Sequence, residues 1–284
     1  ARLAGEGKYS TLNVKLTGTD STLKEIDSLG VTNINISGNQ HLTVLDAFKM
    51  DQLKTVVLTE AAGLSMKLPP SNISMVDAST SSGTLILDAT WVKSDITIKG
   101  GTGDDKITIS GFNKNLVTVG QGTGLDTVSI LNSHNDLSVS STILDPQNGL
   151  LLNFGTNHGT EIFHSKQIVL GEGARLWDYA QAAIINGGDA SVNGAFSWFQ
   201  LDGDTWLVQS RHDGRESSNP VFYYTDYIIK LSGLLDLSAS GVVASDDTSA
   251  FQLKFNNPLQ LTTGDDLIGP STALPMDGDN TIIA

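Results

Sequence analysis

Two short segments carry the residues best suited to chemistry: Gly100-Gly101-Thr102-Gly103-Asp104-Asp105-Lys106-Ile107-Thr108 and Gln121-Gly122-Thr123-Gly124-Leu125-Asp126-Thr127-Val128-Ser129. The first fits the pattern G-G-x-G-x-D-x-U-x, with U a large apolar residue, at every specified position; the second departs only at its first glycine. Closely spaced glycines let a backbone turn tightly and aim carbonyl oxygens inward, the aspartate adds a charged oxygen, and the apolar residue starts a strand that enters the core. Oxygen donors of this kind suit a hard cation, so the spacing predicts calcium held by Gly101, Gly103, Asp104 and Asp105, and again by Gly122, Gly124 and Asp126. Within the motif the sixth-position carboxylates, Asp105 and Asp126, are the ones expected to face the ion. Glycine-rich turns with surface aspartates and no metal would use the same residues.

Asp105 and Asp126 are separated by 21 residues rather than nine. That interval suits one wide coil of a solenoid per repeat, with equivalent corners stacked in neighbouring coils. Alternating runs support this from residue 30 to about 140: 32–36, 54–58, 72–76, 84–87, 95–98, 106–109, 116–119, 127–130 and 137–139. Their two-residue period and their Ile, Val and Thr content predict strands with one buried face, two per coil. A Greek-key sandwich also produces short strands at similar spacing and is the competing architecture.

Beyond residue 150 the pattern changes. Leu176–Ile185 has apolar residues spaced for one helix face, and Gly187-Gly188 follows it. Phe196–Leu201 and Thr205–Gln209 flank Asp202-Gly203-Asp204, which reads as a hairpin with its tryptophans and phenylalanine in a core. Tyr227–Ser238 closes this module. Two half-motifs then follow, Gly264-Asp265-Asp266-Leu267-Ile268 and Gly278-Asp279-Asn280-Thr281-Ile282, adding Asp265, Asp266 and Asp279 as candidate ligands. The expected fold is mainly β: a parallel β-solenoid with calcium loops over 1–150, a mostly-β module with one short helix over 151–250, and the start of a further repeat region over 251–284.

Composition narrows the partners. Seventeen basic against 31 acidic residues give a net charge of −14, which repels phosphate backbones and anionic lipid while attracting divalent cations. Nucleic acid is therefore not an expected partner. No apolar run approaches the ~18 residues that span a bilayer, and Ala1–Glu6 lacks a signal-peptide pattern, so the chain reads as a mature or cropped piece of a longer protein. The absence of cysteine does not by itself argue for the outside of a cell, but it is compatible with extracellular bacterial proteins whose loops are held by calcium rather than by sulfur.

Phe199-Gln200-Leu201-Asp202-Gly203-Asp204-Thr205-Trp206-Leu207-Val208 and Ile229-Lys230-Leu231-Ser232-Gly233-Leu234-Leu235-Asp236-Leu237-Ser238 resemble the F-x-x-x-G-D-T-Y-hydrophobic-V and V-K-L-T-G-x-V-D-L-S signatures near the carboxyl ends of bacterial surface-layer and related RTX-type proteins. Leu261-Thr262-Thr263-Gly264-Asp265-Asp266 is similar to the L-T-T-G-x-D segment that opens a repeat block in them. The resemblance implies a secreted protein, exported by type I secretion, that folds at the bacterial cell surface where calcium is millimolar. It implies self-assembly into a coat, with cell-surface polysaccharide as a further partner. The nonapeptides are few for that family, so a long calcium roll is not expected, and the extreme end carries no recognisable export signal.

The competing functions are a calcium-rigidified adhesin and a calcium-dependent polysaccharide lyase on a β-helix. The adhesin would use Pro220–Tyr227 as a sugar platform, although a buried strand is the simpler reading of those residues. A lyase needs a strong base and cationic groups near the metal. The arginines, Arg2, Arg175, Arg211 and Arg215, fall outside the repeats, leaving Lys93, Lys99, Lys106 and Lys114 near the loops. The histidines are scattered, and His158 and His164 with Glu161 between them fit no metalloenzyme spacing. The sequence therefore points to a protein that is not an enzyme.

Overall fold

The structure, a computed structural model, describes residues 2–4, 9–27, 30–110, 116–120, 122–131, 142–145, 150–153, 162–186, 195–210, 222, 226–244, 251–256, 267–268 and 281–282. The chain winds as a parallel β-solenoid of about six turns. A short strand β1 (Arg2–Ala4) precedes the first coil, β2 (Thr11–Leu16) and β3 (Ser21–Leu23), and pairs in parallel with β4 (Glu25–Asp27). Each later coil contributes two strands: β5 (Asn33–Gly38) and β6 (His41–Val44), β7 (Thr55–Glu60) and β8 (Gly63–Lys67), β9 (Met75–Ser81) and β10 (Leu85–Asp88), β11 (Ile96–Lys99) and β12 (Lys106–Ser110), β13 (Val117–Gly120) and β14 (Thr127–Leu131), β15 (Thr142–Asp145) and β16 (Leu151–Asn153).

The odd-numbered members of these later coils and β2 stack into one parallel sheet; β3 and the even-numbered members stack into a second. This outcome excludes the Greek-key sandwich. As far as β14, equivalent residues in adjacent coils are 20 to 22 positions apart, as in the pairs Asn13 with Asn35, Leu85 with Asp105, and Asp105 with Asp126; into the last coil the offset widens, Val117 pairing with Thr142 and Thr127 with Leu151. Alternation along the strands explains the packing. In β7 every second residue, Val56 and Leu58, is fully buried, while in β14 Val128 and Ile130 do the same. Their partners Leu64, Leu85, Ile98 and Ile107 fill the space between the sheets as one continuous core. Outward-facing polar residues meet their equivalents one coil away: Asn35 Nδ2 donates to Asn13 Oδ1 at 2.8 Å, and Thr55 Oγ1 to Asn33 Oδ1 at 2.7 Å.

The solenoid ends on antiparallel strands. β17 (Ile162–Phe163) precedes α1 (Leu176–Asn186), the one helix among the described residues. Its inner face of Tyr179, Ala180, Ala183 and Ile184 packs on Phe199, Trp206 and Val208. Those three belong to the hairpin of β18 (Ala195–Leu201) and β19 (Asp204–Ser210). Its two-residue tip has Asp202 at φ 54° and Gly203 at φ 81°, the double left-handed turn for which Asp-Gly is suited. β20 (Tyr227–Leu231) pairs antiparallel with β19 on one side and parallel with β15 on the other, joining the hairpin to the first solenoid sheet. The second sheet is finished by β21 (Gly241–Ala244) and β22 (Phe251–Lys254), with β22 antiparallel to β16. β23 (Leu267–Ile268) and β24 (Thr281–Ile282) pair in parallel as a separate two-stranded sheet. Among the described residues, no helix is long and apolar enough to cross a membrane.

Candidate metal centre at a glycine-lined corner

Both complete motifs lie at one corner of the solenoid, where the chain turns out of the first sheet and into β12 or β14. The corner is dense because glycines let successive coils touch backbone to backbone. A Cβ on Gly122 would land on the carbonyl oxygen of Gly101, and one on Gly101 would land on that of Ser81. A parallel column runs from Gly124 over Gly103 to Gly83 and Ala62. Gly122 and Gly124 also have φ of 85° and 143°, so a side chain there would be strained as well as crowded.

This stacking exposes a third, degenerate copy of the motif at Ser81-Ser82-Gly83-Thr84-Leu85, which sequence reasoning missed. Its signal was the coil interval: stepping back one repeat from Gly103 and Asp105 reaches Gly83 and Leu85. Ser81 takes the place of the second glycine, with its hydroxyl donating to Ala62 O at 2.8 Å and accepting from Gly83 N at 3.1 Å.

The aspartates bind the column together. Asp105 is fully buried; its Oδ1 accepts the amide of Leu85 in the preceding coil at 2.7 Å, and its Oδ2 accepts Gly101 N at 2.9 Å. Asp126 is 2% exposed and accepts the amide of Asp105 through Oδ1 at 2.8 Å. Among the described residues no bond from Gly122 to Asp126 repeats the Gly101 contact, so Asp126 holds one backbone donor where Asp105 holds two. Asp104 is exposed and reaches the opposite way, accepting Leu125 N of the following coil at 2.9 Å. The sixth-position carboxylates are thus inside the corner and the fifth-position one is outside.

Burial governs their acidity. Desolvation pushes the Asp105 carboxyl above the usual range, against the opposing pull of its two amide donors, with Asp104 nearby raising it further. Asp126 is pushed up to about 6, first by desolvation and then by the charges of Asp105 and Asp104, with only the Asp105 amide opposing. Two buried carboxylates in consecutive coils therefore resist ionisation together. A bound cation is the usual relief for such an arrangement.

The donor set fits a hard cation. It offers oxygens: two carboxylates, which keep lone pairs after accepting three amide hydrogens between them, and the carbonyls of a glycine-lined turn, of which those of Ser81 and Gly101 already accept the amides of Thr102 and Thr123. Among the described residues no group of three or more His, Cys, Asp or Glu side chains could hold a metal ion. A cation at this corner would accordingly draw most of its ligands from carbonyls and water. Asp265, Asp266 and Asp279 lie outside the described residues.

The remaining candidates are dispersed. Lys99 pairs with Asp77 of the previous coil at 3.3 Å, and Lys93 and Lys106 are exposed. Lys114, Arg211, Arg215, His134, His158, Glu161 and His212 lie outside the described residues. His164 is half-buried, and burial lowers its pKa. Of the aromatic segment 220–227, Phe222 and Tyr227 are buried, and Tyr227 begins β20. Searches of the sequence against known protein families and against curated proteins find no match.

Proposed function

We propose that the chain is a calcium-dependent structural protein of the bacterial cell surface, a secreted solenoid that assembles with copies of itself into a two-dimensional coat. One observation carries the reading: the buried carboxylates of Asp105 and Asp126, stacked in consecutive coils at a glycine-lined corner, with burial raising the pKa of both. Without a cation this arrangement penalises the folded chain at neutral pH; with one, the penalty becomes a binding site. Calcium at about tenfold its dissociation constant stabilises the native state by roughly 1.4 kcal/mol per ion.

The charge and the shape serve the same function. A net charge of −14 keeps separate molecules apart until divalent ions screen or bridge them. The solenoid supplies long, flat sheet faces for lateral packing. Asn-rich outer ladders and inter-coil ion pairs such as Lys99–Asp77 at 3.3 Å make a polar building surface on the first sheet. Thermal melts test the calcium reading. The melting temperature should fall in excess chelator and recover with calcium, but not with magnesium at equal ionic strength. An unchanged melt on metal-free protein would refute it.

A further inference from the structure

A second surface, on the other sheet and away from the glycine corner, has a composition that neither the fold nor calcium requires. Two turns leave the even-numbered sheet on the same pattern: Leu45-Asp46-Ala47-Phe48 after β6, and Leu87-Asp88-Ala89-Thr90-Trp91 at the end of β10. In each the alanine plugs into the core, with Ala47 2% and Ala89 1% exposed. In each the aspartate closes the turn, Asp46 Oδ1 accepting Phe48 N at 2.9 Å and Asp88 Oδ1 accepting Thr90 N at 3.0 Å. The turns then present their aromatic rings outward. Phe48 is 40% and Trp91 50% exposed, although they start two coils apart, and their ring centroids meet at 5.2 Å.

The intervening coil adds Lys67, whose ammonium lies 4.3 Å from the Trp91 ring centroid and 3.0 Å from Asp88 Oδ2. Leu45 and Ile86 extend the apolar surface on the same side. A cluster of exposed aromatic and aliphatic groups of this kind marks an interaction surface.

We propose that this patch is a binding platform for a neutral polysaccharide. A sugar ring presents an apolar C–H face and a rim of hydroxyls. The rings of Phe48 and Trp91 match the face, while Lys67, with donors only, and Asp88 Oδ2, the carboxylate oxygen not taken up by the amide and hydroxyl of Thr90, match vicinal hydroxyls on the rim. The local charge selects neutral over anionic glycans: the Lys67 ammonium is already balanced by Asp88, and the chain as a whole is strongly acidic. A protein partner is the poorer fit, since interface cores shed charge and this patch carries an ion pair at its centre. The platform is independent of the calcium corner and of whether copies of the chain assemble.

The test is affinity electrophoresis of the whole chain through gels containing soluble dextran, laminarin or mannan, with alginate as the anionic control. At least one neutral polymer should retard the native chain. W91A and F48A should each weaken that retardation by about tenfold with the melting temperature retained. D88N, which keeps the side-chain volume, should weaken it without removing either ring. W177A, an exposed aromatic on α1, should leave it unchanged. Retardation by no neutral polymer, by alginate alone, or equally for W91A and the native chain would overturn the proposal. So would sedimentation showing that W91A alters self-association instead, which would assign the patch to contacts between copies.

Discussion

Asp126→Asn is the substitution in which the buried corner makes its sharpest demand. In the folded chain the Asp126 carboxyl holds its proton up to a pH of about 6, whereas in the unfolded chain it releases it near 3.8. Between those values the native state binds more protons than the unfolded state, so stability falls as pH rises through this window. The accumulated penalty above pH 6 is about 3 kcal/mol for Asp126 alone. Asparagine keeps an oxygen to accept the Asp105 amide and removes the charge. In metal-free protein at pH 7, D126N should therefore be more stable than the native chain by about 3 kcal/mol, or roughly 5–10 °C in melting temperature. At pH 4 the two should melt together. In millimolar calcium the order should shrink or reverse, because the charge that burdens the empty corner is the one a cation uses. Chemical denaturation across pH 4–7, with and without chelator, measures all three comparisons. If metal-free D126N gains nothing at pH 7, or if native stability does not drop between pH 4 and 6, the reasoning from burial to ion demand is wrong.

Asp105→Ala should cost more calcium affinity than Asp104→Ala in a calorimetric titration, because Asp105 is buried in the corner and Asp104 faces solvent; equal losses would show that the register is misjudged. Asp105→Ala should also destabilise the metal-free chain less than a buried hydrogen-bond acceptor usually would, since removing its charge offsets part of the two lost amide contacts. Gly122→Ala should cost more than about 2 kcal/mol, since the new methyl meets the Gly101 carbonyl at a left-handed φ. Gly173→Ala is the matched comparison, with φ 86° but open space around it, and should cost only the backbone strain, about 1 kcal/mol.

Much of the solenoid could be read from the sequence because its signals are local. The alternation of Val56 and Leu58, or of Val128 and Ile130, marks strands without reference to anything distant. The Asp202-Gly203 tip and the apolar stripe of α1 were equally plain. The first coil, from Thr11, falls within the expected 1–150 but carries no clear alternation, because β2 is an edge strand and has little burial to impose a pattern. Strand β8 was missed because Gly63-Leu64-Ser65-Met66-Lys67 carries residues of weak strand preference, and β6, His41–Val44, was missed although it is as long as β10 and β11. Pairing in register with Leu64's neighbours in adjacent coils supplies what local preference lacks. At the corner, the motif located Asp105 and Asp126, but not that their first partners are amides of neighbouring coils. Leu85 N is 20 residues from Asp105, and only the stacking of coils brings them together. The Phe48–Trp91 contact was hidden for the same reason, since its residues are joined by coil geometry rather than by sequence.

Whether calcium converts this acidic solenoid into an ordered assembly is decided by light scattering with electron microscopy of the full-length protein, titrated with calcium against magnesium at equal ionic strength. Ordered oligomers or two-dimensional sheets should appear with millimolar calcium, should not appear with magnesium, and should dissolve on chelation. Monomers throughout the millimolar calcium range, or product release from uronate polymers under the same conditions, would contradict calcium-driven assembly.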